Sequence, residues 1–213
     1  MRIKCLKWGL VLFILGPNLA LANAQDALVK ALSNIKIYQA TFSQQIKDSN
    51  GELVSKAKGE MTVSRPKRFH WETVEPDPIL VVGDGKTLWS YDKDLAQITK
   101  QPLQEALTTS PARLLAGSLD HFEKDFKVKE ASLKECASKA DACYLLEPLQ
   151  KDSPFQQAYI AFAQGKVIGV RMLDALGQNI QTTFNNVKIN QKVNNQMFVF
   201  VPPKGVDVIQ AGN

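Results

Sequence analysis

The residues that most invite a chemical reading lie in positions 81–91, VVGDGKTLWSY. Gly85-Lys86-Thr87 after an apolar run has the ending of a phosphate-binding loop, whose backbone amides cradle phosphates while a lysine reaches them. Such a loop places its first glycine five residues earlier, where this chain has Leu80. It also opens a helix, whereas Leu88-Trp89-Ser90-Tyr91 reads as a strand. Asp84-Gly85 is a hairpin-turn signal instead, and nucleotide chemistry is not expected here. Other catalytic sets are equally thin. His70 and His121 are the only histidines, and their spacing to the cysteines suits no metal ligand set. His70, in RFHWE, is expected on the strand face opposite Phe69 and Trp71, at the surface, and His121 on a helix surface. Asp92 and Asp94, in YDKDL, fit an Asp-rich turn better than a cation site. No Gly-x-Ser-x-Gly or Ser/His/Asp context is present, so neither an enzyme, a cofactor nor a metal is expected.

The ends of the chain say where it works. Residues 1–7 carry Arg2, Lys4 and Lys7, an apolar run follows to Leu21, and Ala22-Asn23-Ala24 supplies small residues where a signal peptidase reads. A secretory signal peptide over 1–24, cut before Gln25, is expected. The run is short and interrupted by Gly16, Pro17 and Asn18, against about 20 apolar residues for a membrane span. Removing three positive charges takes the net charge from +5 to +2, so an anionic partner is not indicated. Cys5 would be lost with the signal, and no cysteine sits at the cleavage site to be lipidated. In an exported chain Cys136 and Cys143, in ECASKADAC, are read as a disulfide, with free thiols or half a metal site as the alternatives. The remaining 189 residues (213 − 24), 25–213, suit one domain.

The elements that would position any site are mostly strands. Asp26–Lys36 spaces Leu28, Leu32 and Ile35 as on one face of a helix, with Asp26 as a possible cap. Strands are expected over 38–46, 53–64, 68–73, 78–82, 87–91, 95–100, 143–148, 158–163, 166–174, 179–189 and 197–201, with turns such as Asp48-Ser-Asn-Gly51 between them. A second helical zone spans 102–117, with Ser110-Pro111 opening a helix and Gly117 ending it, and a short helix is expected over 121–126. Turns this short join antiparallel strands only. The fold class is therefore mainly β, one meandering antiparallel sheet with two or three short helices.

Several strands carry more apolar surface than a sheet with one wet face needs: Tyr159–Ala163, Val167–Leu173 and Met197–Val201. Such strands require cover on both faces, which a curled sheet closed by helices supplies. The result is either a packed core or an apolar hollow fit for a lipid-like ligand.

Ser64-Arg-Pro-Lys-Arg-Phe-His-Trp-Glu72 is the most distinctive stretch. As chemistry it could be a basic-aromatic patch for nucleic acid, which export and the small charge argue against. It resembles the Arg-Pro-x-x-Phe-x-Trp signature of the outer-membrane lipoprotein carrier proteins, the LolA family of periplasmic chaperones. Thr41-Phe-Ser-Gln-Gln45, Asp84–Trp89, Tyr91-Asp92, Ser110–Ala116 and Phe198–Asp207 agree with that family in order. The resemblance implies an incomplete, curled β-barrel covered by lid helices. Acyl chains of lipoproteins would enter beneath the lid. An inner-membrane lipoprotein-releasing ABC transporter would supply them and an outer-membrane lipoprotein receptor would take them, with the carrier a monomer in the periplasm. It further implies that Arg65 latches the empty lid by bonding helix carbonyls, where its residue type alone reads as an exposed strand-end charge. Phe69 would contact a membrane partner, or else pack in the core. Leu32, Tyr38, Trp71, Val81, Leu114 and Leu115 would line the acyl-chain cavity, or else be ordinary core. Ala112 and Arg113 depart from the larger apolar residues expected in the lid. The competing readings are the lipidated receptor of the same fold, which lacks support without the cysteine, a lipid-binding or envelope-stress sensing domain, and an envelope hydrolase.

Overall fold

The computed structural model describes residues 18–103, 112–120, 122–136 and 139–211. The segment 1–17, the Ser110-Pro111 helix start and His121 lie outside them. The first helix, α1, runs Asn18–Ser33, and Ala24, Leu28 and Leu32 form a buried stripe at four-residue spacing. Asp26 therefore sits inside the helix and is not its cap. The helix also stops three residues before the expected Lys36. Asn34 N–H donates to the Lys30 carbonyl and Ile35 N–H to that of Leu32, which closes the last turn. Asn190 then clasps the exit. Its Oδ1 accepts from the amides of Lys36 and Ile37, and its side-chain N–H₂ donates to the Asn34 carbonyl.

The strands are β1 (Ile37–Lys47), β2 (Leu53–Ser64), β3 (Arg68–Glu75), β4 (Ile79–Asp84), β5 (Thr87–Asp92), β6 (Gln97–Pro102), β7 (Phe126–Glu130), β8 (Ala142–Pro148), β9 (Phe155–Ala163), β10 (Lys166–Asp174), β11 (Asn179–Ile189) and β12 (Asp207–Gln210). They form one sheet in the order β12-β6-β5-β4-β3-β2-β1-β11-β10-β9-β8-β7. Its edges, β12 and β7, are not paired to each other, so the barrel is incomplete. The β4–β5 turn is an Asx turn: Asp84 Oδ1 accepts from the amides of Lys86 and Thr87 at 2.8 Å each, and Gly85 takes a φ of +105° that suits glycine. Asp92 does the same for Asp94 and Leu95. His70 lies on the outer face as expected, half-buried.

Two short helices, α2 (Ala112–Ala116) and α3 (Phe122–Asp125), join α1 on the inner face. α1 and α3 pack against β7 and α2 against β2. The inner face of the sheet and these helices share one apolar core, from Leu28 and Leu32 through Phe42, Met61, Val63 and Phe69 to Ile160, Phe162 and Phe184.

Two expectations fail at the C-terminus. Residues 197–201 are not a strand. Asn194 caps a 3-10 turn over Asn195–Phe198, Phe198 is buried, and Val199 and Val201 are 57% and 76% exposed. Apolar residues on both sides of this stretch are thus not covered on both sides. Pro202 and Pro203 have no N–H to continue a ladder. The chain crosses the outer face, where Phe200 meets Trp89 at 5.4 Å and Tyr91 at 6.1 Å, and Val82, Ile98 and Phe198 are buried outside the main core. It ends as β12, which is parallel to β6. The long excursion from β11 supplies the crossover that a parallel pair needs.

Close packing of the sheet interior depends on Gly59. A Cβ there would lie against the Glu72 carbonyl oxygen and 2.9 Å from the Phe42 ring, which itself stacks on Trp71 at 4.0 Å between centroids. Gly59→Ala is expected to lower stability by about 2 kcal/mol or more, read as a lower denaturant midpoint. Gly165→Ala, with open space around it but a φ of +71°, should cost about 1 kcal/mol.

Candidate functional site

The signature turn between β2 and β3 faces the end of α2. A helix leaves its last carbonyls without partners inside the helix, and three of them here are taken by this turn. Arg65 Nη1 donates to the Gly117 carbonyl at 2.7 Å and Nη2 to the Leu114 carbonyl at 3.2 Å. Lys67 N–H donates to the Ala116 carbonyl at 2.9 Å. A guanidinium suits this task because its donors form a fixed fork, while a lysine has one mobile head. The fit is incomplete: Arg65 Nε is buried and has no partner among the described residues. Burial pushes the Arg65 pKa down to about 10, so the group stays charged at neutral pH but sits in a site that penalises its charge.

Behind this contact the structure gathers the expected cavity residues. Leu32, Tyr38, Leu114 and Leu115 are all buried, and Trp71 and Val81 are partly buried against the same cluster. Tyr38 O–H donates to the Val167 carbonyl at 2.8 Å, its ring meets Phe184 edge-on at 5.6 Å, and burial raises its pKa. Trp71 is turned inward by strand alternation and lies on Phe42. In this closed arrangement the six residues pack against the core's own side chains. Phe69 is 3% exposed, and its ring lies against Gly83, with Leu103 beside it. Ala112 and Arg113 have their backbones in α2, and their side chains lie outside the described residues. Cys136 and Cys143 are joined as a disulfide, with Cα atoms 6.0 Å apart. Among the described residues no group of three or more His, Cys, Asp or Glu is placed to hold a metal ion, and no helix is long and apolar enough to cross a membrane.

Comparison with known proteins decides the family. The profile described as "Outer membrane lipoprotein carrier protein LolA" matches residues 33–201. This chain belongs to the LolA family. The outer-membrane lipoprotein carrier protein of Dechloromonas aromatica is 36% identical over 197 residues, 92% of each chain. That of Azotobacter vinelandii is 36% identical over 200 residues, 94% of each chain. A solved structure of an uncharacterized conserved protein from Thermus thermophilus shares the fold, with a TM-score of 0.51 at 15% identity, covering 89% of this chain and 99% of that one.

The Ser64–Arg68 stretch was the readable part of this site. The Lys67 amide was not, because a backbone donor has no residue type. Nor was the Asn190 clasp, since a lone asparagine after a strand carries no distinguishing pattern.

Arg65→Leu should leave the Leu114 and Gly117 carbonyls without donors and weaken the seating of α2 by at least the roughly 1.5–3 kcal/mol of one charge-assisted bond, seen as at least tenfold faster hydrogen exchange of the Lys67 amide. With the guanidinium near pKa 10 when closed and higher when hydrated, both states stay charged between about pH 6 and 9. Protection of the Lys67 amide should be flat across that range once intrinsic exchange rates are corrected. Proton linkage enters only above about pH 10, where it favours the closed state because that state gives up its proton first. A titration of closure centred near neutrality would remove this guanidinium as the determining group.

Proposed function

We propose that this protein carries acylated lipoproteins across the periplasm, receiving them from an inner-membrane ABC transporter and delivering them to an outer-membrane receptor. The observation that carries the reading is the Arg65 contact with the end of α2, which holds a cover over an apolar interior by a few replaceable hydrogen bonds. Magnitudes favour a lid of this kind. A sixteen-carbon acyl chain buries on the order of 12 kcal/mol at about 0.8 kcal/mol per methylene. Opening costs the latch, at roughly 1.5–3 kcal/mol for each charge-assisted bond, and exposure of Leu114 and Leu115, at about 1.5–3 kcal/mol each. Cargo can therefore hold the lid open. The latch recloses once a receptor has withdrawn the chains, so an empty carrier does not compete for its own cargo. The unpaired Nε and the charge burial at Arg65 keep the closed state from being too stable to open.

In this reading Leu32, Tyr38, Trp71, Val81, Leu114 and Leu115 become lipid contacts when α2 lifts, and Phe69 becomes accessible to a membrane partner. The signal peptide is removed before Gln25, which leaves the Gln25–Ser33 turns of α1 in the mature protein. The mature carrier acts as a monomer.

The test mixes the purified mature protein with spheroplasts making a labelled outer-membrane lipoprotein, with a known carrier as the positive control. Appearance of the lipoprotein in the soluble fraction, bound to this protein, is the expected result. Arg65→Leu should accept cargo and pass on less than about a tenth of it to outer membranes, if the latch is worth the roughly 1.5 kcal/mol or more assigned to it. Absence of release beside a working control would leave a lipid-binding or sensing role.

A further inference from the structure

The signature turn is gripped from two sides. On the inner side Arg65 and Lys67 hold the carbonyls at the end of α2. On the outer side Arg68 Nη2 donates to Ser64 Oγ at 2.9 Å and Nη1 to Asn195 Oδ1 at 3.4 Å, and its guanidinium carbon stands 5.2 Å from the centroid of the Phe198 ring. Ser64 is itself buried, at the end of β2. Between the two arginines Lys67 takes a φ of +65°, a left-handed conformation that a lysine holds only where its surroundings impose it. That conformation is the one in which its N–H reaches Ala116.

We infer that Arg68 is a positioning residue for the lid latch: through Ser64 and the Asn195–Phe198 turn it couples the seating of the C-terminal segment on the outer face to closure of α2 on the inner face. Arg68 occupies one of the variable positions of the Arg-Pro-x-x-Phe-x-Trp pattern, so the coupling is a property of this chain and does not follow from the signature. The physical route is short. Only three residues lie between Ser64 and Arg68, and the hydrogen bond between their side chains closes the turn on itself. If the Asn195–Phe198 turn lifts, Arg68 loses both its acceptor there and the ring beneath it. The turn then has less to hold Lys67 in its left-handed conformation, and the Ala116 contact weakens. Coupling is reciprocal, so opening α2 also loosens the C-terminal segment. Release of the lid could thus be driven from the face opposite the lid, by a partner that displaces residues 195–200.

Residue-resolved amide exchange on the full mature protein tests this. It reads the latch itself and so is independent of whether cargo is released in the spheroplast assay. Arg68→Ala should speed exchange of the Lys67 amide roughly fivefold or more, with β9 amides unchanged. Asn195→Ala, which removes only the exposed acceptor, should act in the same direction by about twofold. Arg68→Lys, which keeps a cation near Phe198 but not the two-armed bond to Ser64 and Asn195, should recover only a minor part of the protection. Faster exchange at residues 195–199 with Lys67 unchanged would overturn the inference, leaving Arg68 as an anchor for the C-terminal segment alone. Equal acceleration at Lys67 and throughout β9 would overturn it as well, since that is loss of global stability.

Discussion

An apolar concave face that the sheet does not close over is the constraint on which the rest of this molecule depends. Twelve strands curl without joining their edges, so the inner faces of β1, β2, β9, β10 and β11 must be covered by something else. Here α1, α2 and α3 contribute to the same apolar core as those faces. Hydrophobic burial does not specify which apolar groups do the covering. Leu114 and Leu115 are among the groups that serve here. What fixes the seat of α2 is a set of polar contacts at one end of the helix, where directionality is available. A non-directional core and a directional set of hydrogen bonds divide the labour of holding α2, and the arginine and the sharp turn supply the directional part.

Much of the fold was legible because alternation and turn chemistry agree along the chain. β2, β10 and β11 occupy the expected residues, and the Asp84 and Asp92 turns form as their side chains direct. The misses share a cause. Residues 197–201 have strand composition, yet the Asn194 cap and the Pro202-Pro203 pair win over propensity. β12 could not be foreseen, because DVIQ has no periodicity of its own and owes its place to the free edge of β6. The end of α1 was misplaced since its true terminator, Asn190, is more than 150 residues away.

The candidate site was legible in its side chains and not in its backbone. Arg65 was identified through the family pattern, and the geometry gives it the carbonyls to bond. Local chemistry alone pointed to an exposed strand-end charge, because sequence does not say that a helix end will arrive opposite. The six cavity residues were equally ambiguous between core and lining. The structure places Leu32, Tyr38, Leu114 and Leu115 in the core and packs Trp71 and Val81 against it.

The pairing of β1 with β11 has a consequence in time. These strands lie at the middle of the sheet, yet about 140 residues separate them, with Tyr38 opposite Ile189 and Lys47 opposite Asn179. The Asn190 clasp adds to the same seam. A chain made from its N-terminus therefore builds hairpins early but cannot join its two halves until almost all of it exists, and contacts this distant in sequence form slowly. The last part synthesised is what makes the first part a finished structure, and until then the chain remains threadable.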